Sequence, residues 1–110
     1  MATTYKILGK AAVTANTDTL AYTVPGATAA VVSSVVVCNT GSTARTFRLA
    51  FCPGAIASVT LADYIYYDLT ISPNDTFIAT CGFTLAAASQ ILVRASHAEV
   101  VFSIYGSEIA

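Results

Sequence analysis

Four stretches of this chain alternate apolar and polar residues with a period of two. In "RTFRLAF", Phe47, Leu49 and Phe51 share one face and Thr46 and Arg48 the other. In "DYIYYDLTI", Ile65, Tyr67, Leu69 and Ile71 oppose Tyr64, Tyr66, Asp68 and Thr70. In "SQILVRAS", Ile91, Val93 and Ala95 alternate with Gln90, Leu92 and Arg94, and in "EVVFSIYG", Val100, Phe102 and Ile104 oppose Glu99, Val101, Ser103 and Tyr105. A period of two belongs to a half-buried strand, because successive Cβ atoms point to opposite faces of a sheet. Val31–Cys38 is apolar on both phases apart from Ser33 and Ser34, the mark of a strand that is central or covered on both sides.

Turn formers punctuate these runs at short intervals: "ANTD" at 15–18, "PGA" at 25–27, "NTGST" at 39–43, "PG" at 53–54, "SPND" at 72–75 and "CG" at 81–82. The Ala-rich "TLAAASQ" is long enough for one helical turn and leads straight into a strand. The expectation is an all-β protein: an antiparallel β-sandwich, jelly-roll-like, with about eight short strands. Its 110 residues make one domain, 1–110. Residues 1–19 alternate less cleanly and have two readings, an arm that joins a neighbour's sheet edge or an ordinary first strand at Tyr5–Leu8.

Charge is scarce. The chain is 55% hydrophobic and 10% charged, with a formal charge of −1, against about 25% charged residues in an average domain. Such a chain has little colloidal repulsion and is expected to self-associate or to dock on a larger body. Arg45, Arg48 and Arg94 are too few for a nucleic-acid patch, although Arg45 and Arg48 are candidates for an interface salt bridge. Leu20–Ala44 carries no charge but is broken by Pro25, Gly26, Gly41 and several hydroxyl residues, so it is not expected to span a membrane. "MATTYKILGK" lacks the pattern of a secretory signal.

Chemistry-bearing residues are few. Cys38, Cys52 and Cys81 have neither an even count nor CxxC spacing, and free buried thiols are expected. If residues 31–38 and 45–52 pair as a hairpin around "NTGSTA", Cys38 and Cys52 lie too far apart for a disulfide. The sole histidine, His97, has Glu99 two residues on; they form either an acid–base pair or a solvated turn. Asp18 and Asp75 fit backbone-capping roles in turns, and no P-loop, dinucleotide, HExxH or EF-hand pattern occurs, so no cofactor or metal is expected.

The aromatics remain. Phe47, Phe51, Phe77 and Phe102 fall on apolar phases and are assigned to the core. Tyr64, Tyr66 and Tyr105 fall on the opposite phases, joined by Leu92 and Val101 and flanked by Arg48. Tyr-rich, charge-poor faces are typical of interface cores, so these six residues are the candidate interface; packing on a second sheet of the same domain is the other reading.

The segments "YTVPGATAAVVSSVVVCNTGSTARTFRLAF", "DYIYYDLTISPNDTFIATCGFTLAAASQILVRAS" and "VVFSIYGSEIA" resemble small all-β virion proteins of tailed bacteriophages, among them capsid decoration (cement) proteins and tail, neck or fibre components. The resemblance implies a non-enzymatic protein of the virion, made in the host cytoplasm, that binds the major capsid protein or another virion protein as a homo-oligomer, a trimer being favoured. A carbohydrate- or ligand-binding sandwich is the alternative class, with Tyr64, Tyr66 and Asp68 as an aromatic platform, although the chain has no Trp.

Overall fold

The inner phases read from the alternation meet each other. Phe47, Leu49, Ile91, Val93, Phe102 and Ile104 are all buried in one cluster between two sheets. The computed structural model describes residues 2–110. Eight strands follow in order: β1 (Thr3–Ala12), β2 (Thr19–Thr23), β3 (Ala29–Asn39), β4 (Arg45–Cys52), β5 (Tyr64–Ile71), β6 (Thr76–Leu85), β7 (Gln90–Ala95) and β8 (Val100–Ile109). Sheet A has the order β1-β8-β3-β6 and sheet B the order β2-β7-β4-β5, every pairing antiparallel. Only β4 and β5 are sequential neighbours in one sheet; the other connections cross between sheets. This is the jelly-roll arrangement, and the expected antiparallel sandwich is the fold.

Pairing departs from expectation at β3 and β4. They are not a hairpin: β3 lies between β8 and β6 in sheet A, while β4 lies between β7 and β5 in sheet B. Each is apolar enough to need two flanking strands, and one sheet interior cannot hold both faces of the sandwich. The "NTGST" segment is therefore a corner, and Asn39 holds it. Asn39 is fully buried. Its Nδ2 donates toward the carbonyl oxygens of Thr43 (2.8 Å), Ile71 (3.3 Å) and Ser72 (3.3 Å), and its Oδ1 accepts from the Gly41 N–H at 3.0 Å. Its backbone N–H reaches the Asp75 carbonyl at 2.9 Å, tying this corner to the β5–β6 turn.

β5 also departs from simple alternation. Its register against β4 shifts between Phe47 and Leu49 and again between Leu49 and Ala50. Asp68 takes up the first shift in a left-handed conformation at φ 52°, the kind of extra residue that bends a strand and exchanges its faces. Tyr66 consequently lies opposite Leu49 and packs into the core, Tyr64 lies opposite Ala50 on the outside, and Tyr67 is exposed.

Residues 3–12 form an intrachain edge strand, paired with β8 from Thr3↔Ile109 to Ala12↔Val101. On this side the sandwich is closed. A Cβ added at Gly9 would lie 2.3 Å from the Ala21 carbonyl oxygen, so β1 and β2 approach as closely as their backbones allow.

A second, smaller core lies outside sheet B. The β4–β5 connection, with short 3-10 turns at Ile56–Ser58 and Leu61–Asp63, folds back over Ala50, Cys52 and Leu92 and packs Ile56, Val59 and Tyr64 on them. Gln90 Oε1 accepts from the Ile56 N–H at 2.9 Å and Asp63 Oδ2 from the Thr60 N–H at 3.0 Å, fixing the loop in place.

Candidate functional site

The structure does not gather the six candidate interface residues on one surface. Val101 and Tyr105 lie on the outer face of sheet A, in register with Cys38 and Ser34. Arg48 and Tyr64 lie on the outer face of sheet B. Leu92 shares that face but is fully buried beneath the chain's own loop, so it is no partner contact. Tyr66 is inside, its ring 6.0 Å from Phe47 and 5.1 Å from Phe77, because the β5 bulge turned it inward.

The two outer faces differ in charge. Across sheet B runs a row Asp18–Arg94–Arg48–Asp68. Arg48 and Arg94 are direct cross-strand partners, a like-charge pairing that is unfavourable alone. Each is neutralised on its far side. Arg94 Nη1 donates to Asp18 Oδ1 at 3.1 Å, and Arg48 holds Asp68 through Nε–Oδ1 at 2.7 Å and Nη2–Oδ2 at 3.2 Å. The Arg48 guanidinium also stacks 4.0 Å from the centre of the Tyr67 ring, whose neighbour Tyr64 meets it edge-on at 5.0 Å. Between the arginines is a hollow of about 220 Å³ ringed by Asn16, Thr46, Arg48, Asp68, Arg94 and Ser96. The sugar platform expected of Tyr64, Tyr66 and Asp68 is not assembled: Tyr66 is absent from this face, and Arg48 occupies a face of the Tyr67 ring that stands there instead.

The outer face of sheet A is of another kind. From β1 to β6 it presents Tyr5, Ile7, Tyr105, Val101, Val36, Cys38 and Ile78 among Ser and Thr, and its only charged side chain among the described residues is Lys10, on the edge strand. Tyr5, Ile7 and Ile78 are well exposed, Ile78 at 62%. The charged residues near this sheet are at its ends, where they pair within the chain. Lys6 Nζ meets Glu108 Oε1 at 3.2 Å at one end, and Arg45 pairs with Glu99 at the other. Arg45 and Arg48 are thus both engaged internally.

Glu99 is held by Arg45, and His97 Nδ1 instead lies 3.1 Å from Ser96 Oγ on an exposed turn; the structure does not bring His97 and Glu99 together. All three cysteines are free. Cys52 is buried as expected, whereas Cys38 and Cys81 are half-buried. Burial pushes the Cys52 and Cys81 thiols above their ordinary pKa.

The part-buried pair Tyr22–Glu108 has no signal in the alternation. The Tyr22 hydroxyl donates to Glu108 Oε2 across the closed side of the sandwich. Burial, reinforced by Glu108, raises the Tyr22 pKa, while the donated hydrogen bond holds Glu108 below the usual carboxylate range; the Arg48 hydrogen bond does the same for Asp68. Carboxylates whose native pKa is lowered stabilise the fold above their unfolded pKa and lose that contribution as pH falls through the native value. The melting temperature is therefore expected to fall as the pH drops below about 4, the ordinary carboxylate range. The double variant Asp68→Asn/Glu108→Gln, compared in a pH series of thermal melts, should show a shallower acid-side fall.

Searches of protein-family models, of curated proteins and of solved structures find no match to this chain.

Proposed function

We propose that this is a non-enzymatic structural protein of a tailed-phage virion, a capsid decoration protein that docks on the outer shell as a homo-oligomer through the outer face of sheet A. The observation that carries the reading is the charge asymmetry of the two faces. Sheet B spends both of its outward arginines on a solvated ion-pair row, while sheet A leaves exposed Tyr5, Ile7 and Ile78 with one lysine at the rim. Charge depletion around aromatic and aliphatic side chains is what distinguishes the centre of a binding patch.

The face is large enough. Four strands about 4.8 Å apart and about 33 Å long offer on the order of 600 Å², close to the roughly 800 Å² per partner of a standard interface. At roughly 25 cal/mol per Å² the gross apolar gain is substantial, and ordering costs absorb much of it. Several copies gripping one shell then add avidity without new contacts. The jelly roll is an architecture also used by viral capsid and lectin domains, which supports the reading by analogy of fold only. A neck, tail or fibre module is the second position on the particle that the sequence resemblance admits, and the same face serves it. A ligand-binding module is favoured by one observation, the hollow at Arg48 and Arg94.

Purified protein mixed with emptied heads of the phage that encodes it should co-sediment with them. Tyr105→Lys, on the docking face, is expected to weaken binding by roughly 100-fold, the effect of an unpaired charge in an interface core. Thr46→Lys, beside the hollow on sheet B, should leave it unchanged. Cys38 supplies a probe without mutation: a thiol reagent should label it in the free protein and be excluded from it on the shell. Equal binding by all three proteins, with Cys38 still labelled, would refute the assignment.

A further inference from the structure

The two long sides of the sandwich are built differently. The β1/β2 side is closed backbone to backbone at Gly9 and Ala21 and guarded by Lys6 and Lys10. The β5/β6 side is open. Exposed Ile65, Leu69 and Phe83 line it, and Phe51–Phe83 and Tyr66–Phe77 ring pairs, 5.1 Å apart in each case, bridge the two sheets just behind them. Its sheet A edge is β6, "TFIATCGFTL", a free edge strand of 10 residues with no charge and no proline. Proteins that keep an edge in water ordinarily place lysine, proline or a bulge on it. Here the lysines are on β1, and β6 is regular from Thr76 to Thr80 until its register against β3 shifts beyond Thr80.

We propose that β6 binds β6 of a second copy of this chain, antiparallel and about a two-fold axis near Ile78. A strand paired with itself across a two-fold axis sets each residue near the axis against its own copy or a close neighbour, and any charge there would face a like charge. β2 and β6 are the edges with no charge inside the strand, each preceded by an aspartate (Asp18 and Asp75), whereas β1 has Lys6 and Lys10 and β5 contains Asp68; of the two, β2 is shut against β1 and β6 is free. Main-chain groups on the free side of β6 supply the hydrogen bonds, and Ile78 meets its counterpart. The flanking seam of Ile65, Leu69 and Phe83 leaves water at the same time. The regular segment Thr76–Thr80, about 17 Å long by roughly 20 Å deep, buries on the order of 700 Å² over both copies, the size of a weak, reversible interface.

The pairing joins two copies of sheet A into one continuous sheet. Their outer faces then form a single charge-poor surface, which makes the shell contact bivalent. The inference rests on the homo-oligomer part of the preceding reading and specifies a pair in place of the expected trimer.

Light scattering on the eluting full chain at about 10–200 μM, with no shell present, tests it. The expected mass is that of two chains. Ile78→Lys sets like charges across the axis and should weaken the pair by roughly 100-fold, giving a single-chain mass. Because Ile78 is exposed, the variant should keep the wild-type circular dichroism spectrum; if it does not, the double variant Thr76→Lys/Thr80→Lys makes the same test, because each new lysine faces the other position's lysine across the axis. A one-chain or three-chain mass for the wild type, or a two-chain mass that neither substitution changes, overturns the proposal. Pairs that fail to bind shells would sink the docking reading alone, and single chains that still bind shells would sink the pairing alone.

Discussion

Replacing Asn39 with alanine is expected to lower the melting temperature by roughly 10–20 °C. The side chain is fully buried and bonded on both its amide nitrogen and its oxygen. Truncation leaves the carbonyls of Thr43, Ile71 and Ser72 and the N–H of Gly41 without this partner, away from most solvent. An orphaned buried group costs about 1–3 kcal/mol; the Ile71 contact is fully buried and the other three are part-buried with some access to water, so the total is set at about 3 kcal/mol against about 5–15 kcal/mol for the whole fold. Thr40→Ala is the control. Its hydroxyl donates to the Glu99 carbonyl at 2.7 Å on the exposed rim of the same corner, where water replaces it, and the cost should stay below about 1 kcal/mol. Comparable losses at both positions would show that the corner is held by solvent-facing contacts and not by the buried amide. Asn39→Asp separates the two ends of the side chain. It keeps the acceptor for Gly41 but turns a carboxylate oxygen toward carbonyl oxygens, so it should be at least as damaging as alanine.

Asn39 also shows why sequence patterning reached the fold class and stopped short of the topology. Period-two alternation reports which residues share a face, and in β4, β7 and β8 it places the core residues correctly because those strands run without an extra residue inward of their neighbours. Nothing in the alternation says which strand lies beside which. A short polar break between two apolar runs suits a hairpin and a sheet-to-sheet corner equally, and the deciding fact, that the asparagine is buried and satisfied, exists only in three dimensions. β5 fails for a different reason. An extra residue inverts the phase of everything beyond it, and Asp68 is a tolerable left-handed residue in a strand otherwise aromatic and β-branched. An acid in the middle of "YIYYDLTI" was the one available sign. Leu92 falls on an outward phase, and the alternation cannot show its cover, which comes from a turn-rich loop with no period that packs Ile56 and Val59 on it. The charge difference between the faces was present in the composition as scarcity, but its distribution needed the strand order.

Phe47→Ala is expected to cost about 3–5 kcal/mol, among the largest losses available to this chain. Phe47 is 1% exposed and its ring lies 6.0, 5.6 and 6.1 Å from Tyr66, Phe77 and Phe102, so it joins the β5, β6 and β8 aromatics across both sheets. Removal opens a cavity that these rings cannot fill without leaving their rotamers, because Tyr66 and Phe77 already meet edge to face at 82°. The measurement is a urea titration in which the midpoint falls and the slope does not, as required if packing is lost without a change in the surface exposed on unfolding. Phe47→Leu retains most of the volume and should cost less than half as much. Both variants must be compared with the parent at one protein concentration, since any self-association through β6 adds stability by mass action. That linkage makes the comparison informative in a second way. Phe47 packs directly behind the Tyr66–Phe77 pair of the open side, so a cavity there loosens the seam on which the β6 pairing rests. The loss for Phe47→Ala should therefore be larger at high protein concentration than in an Ile78→Lys background, where no pair forms, and a loss identical in the two backgrounds would place the seam outside any interface.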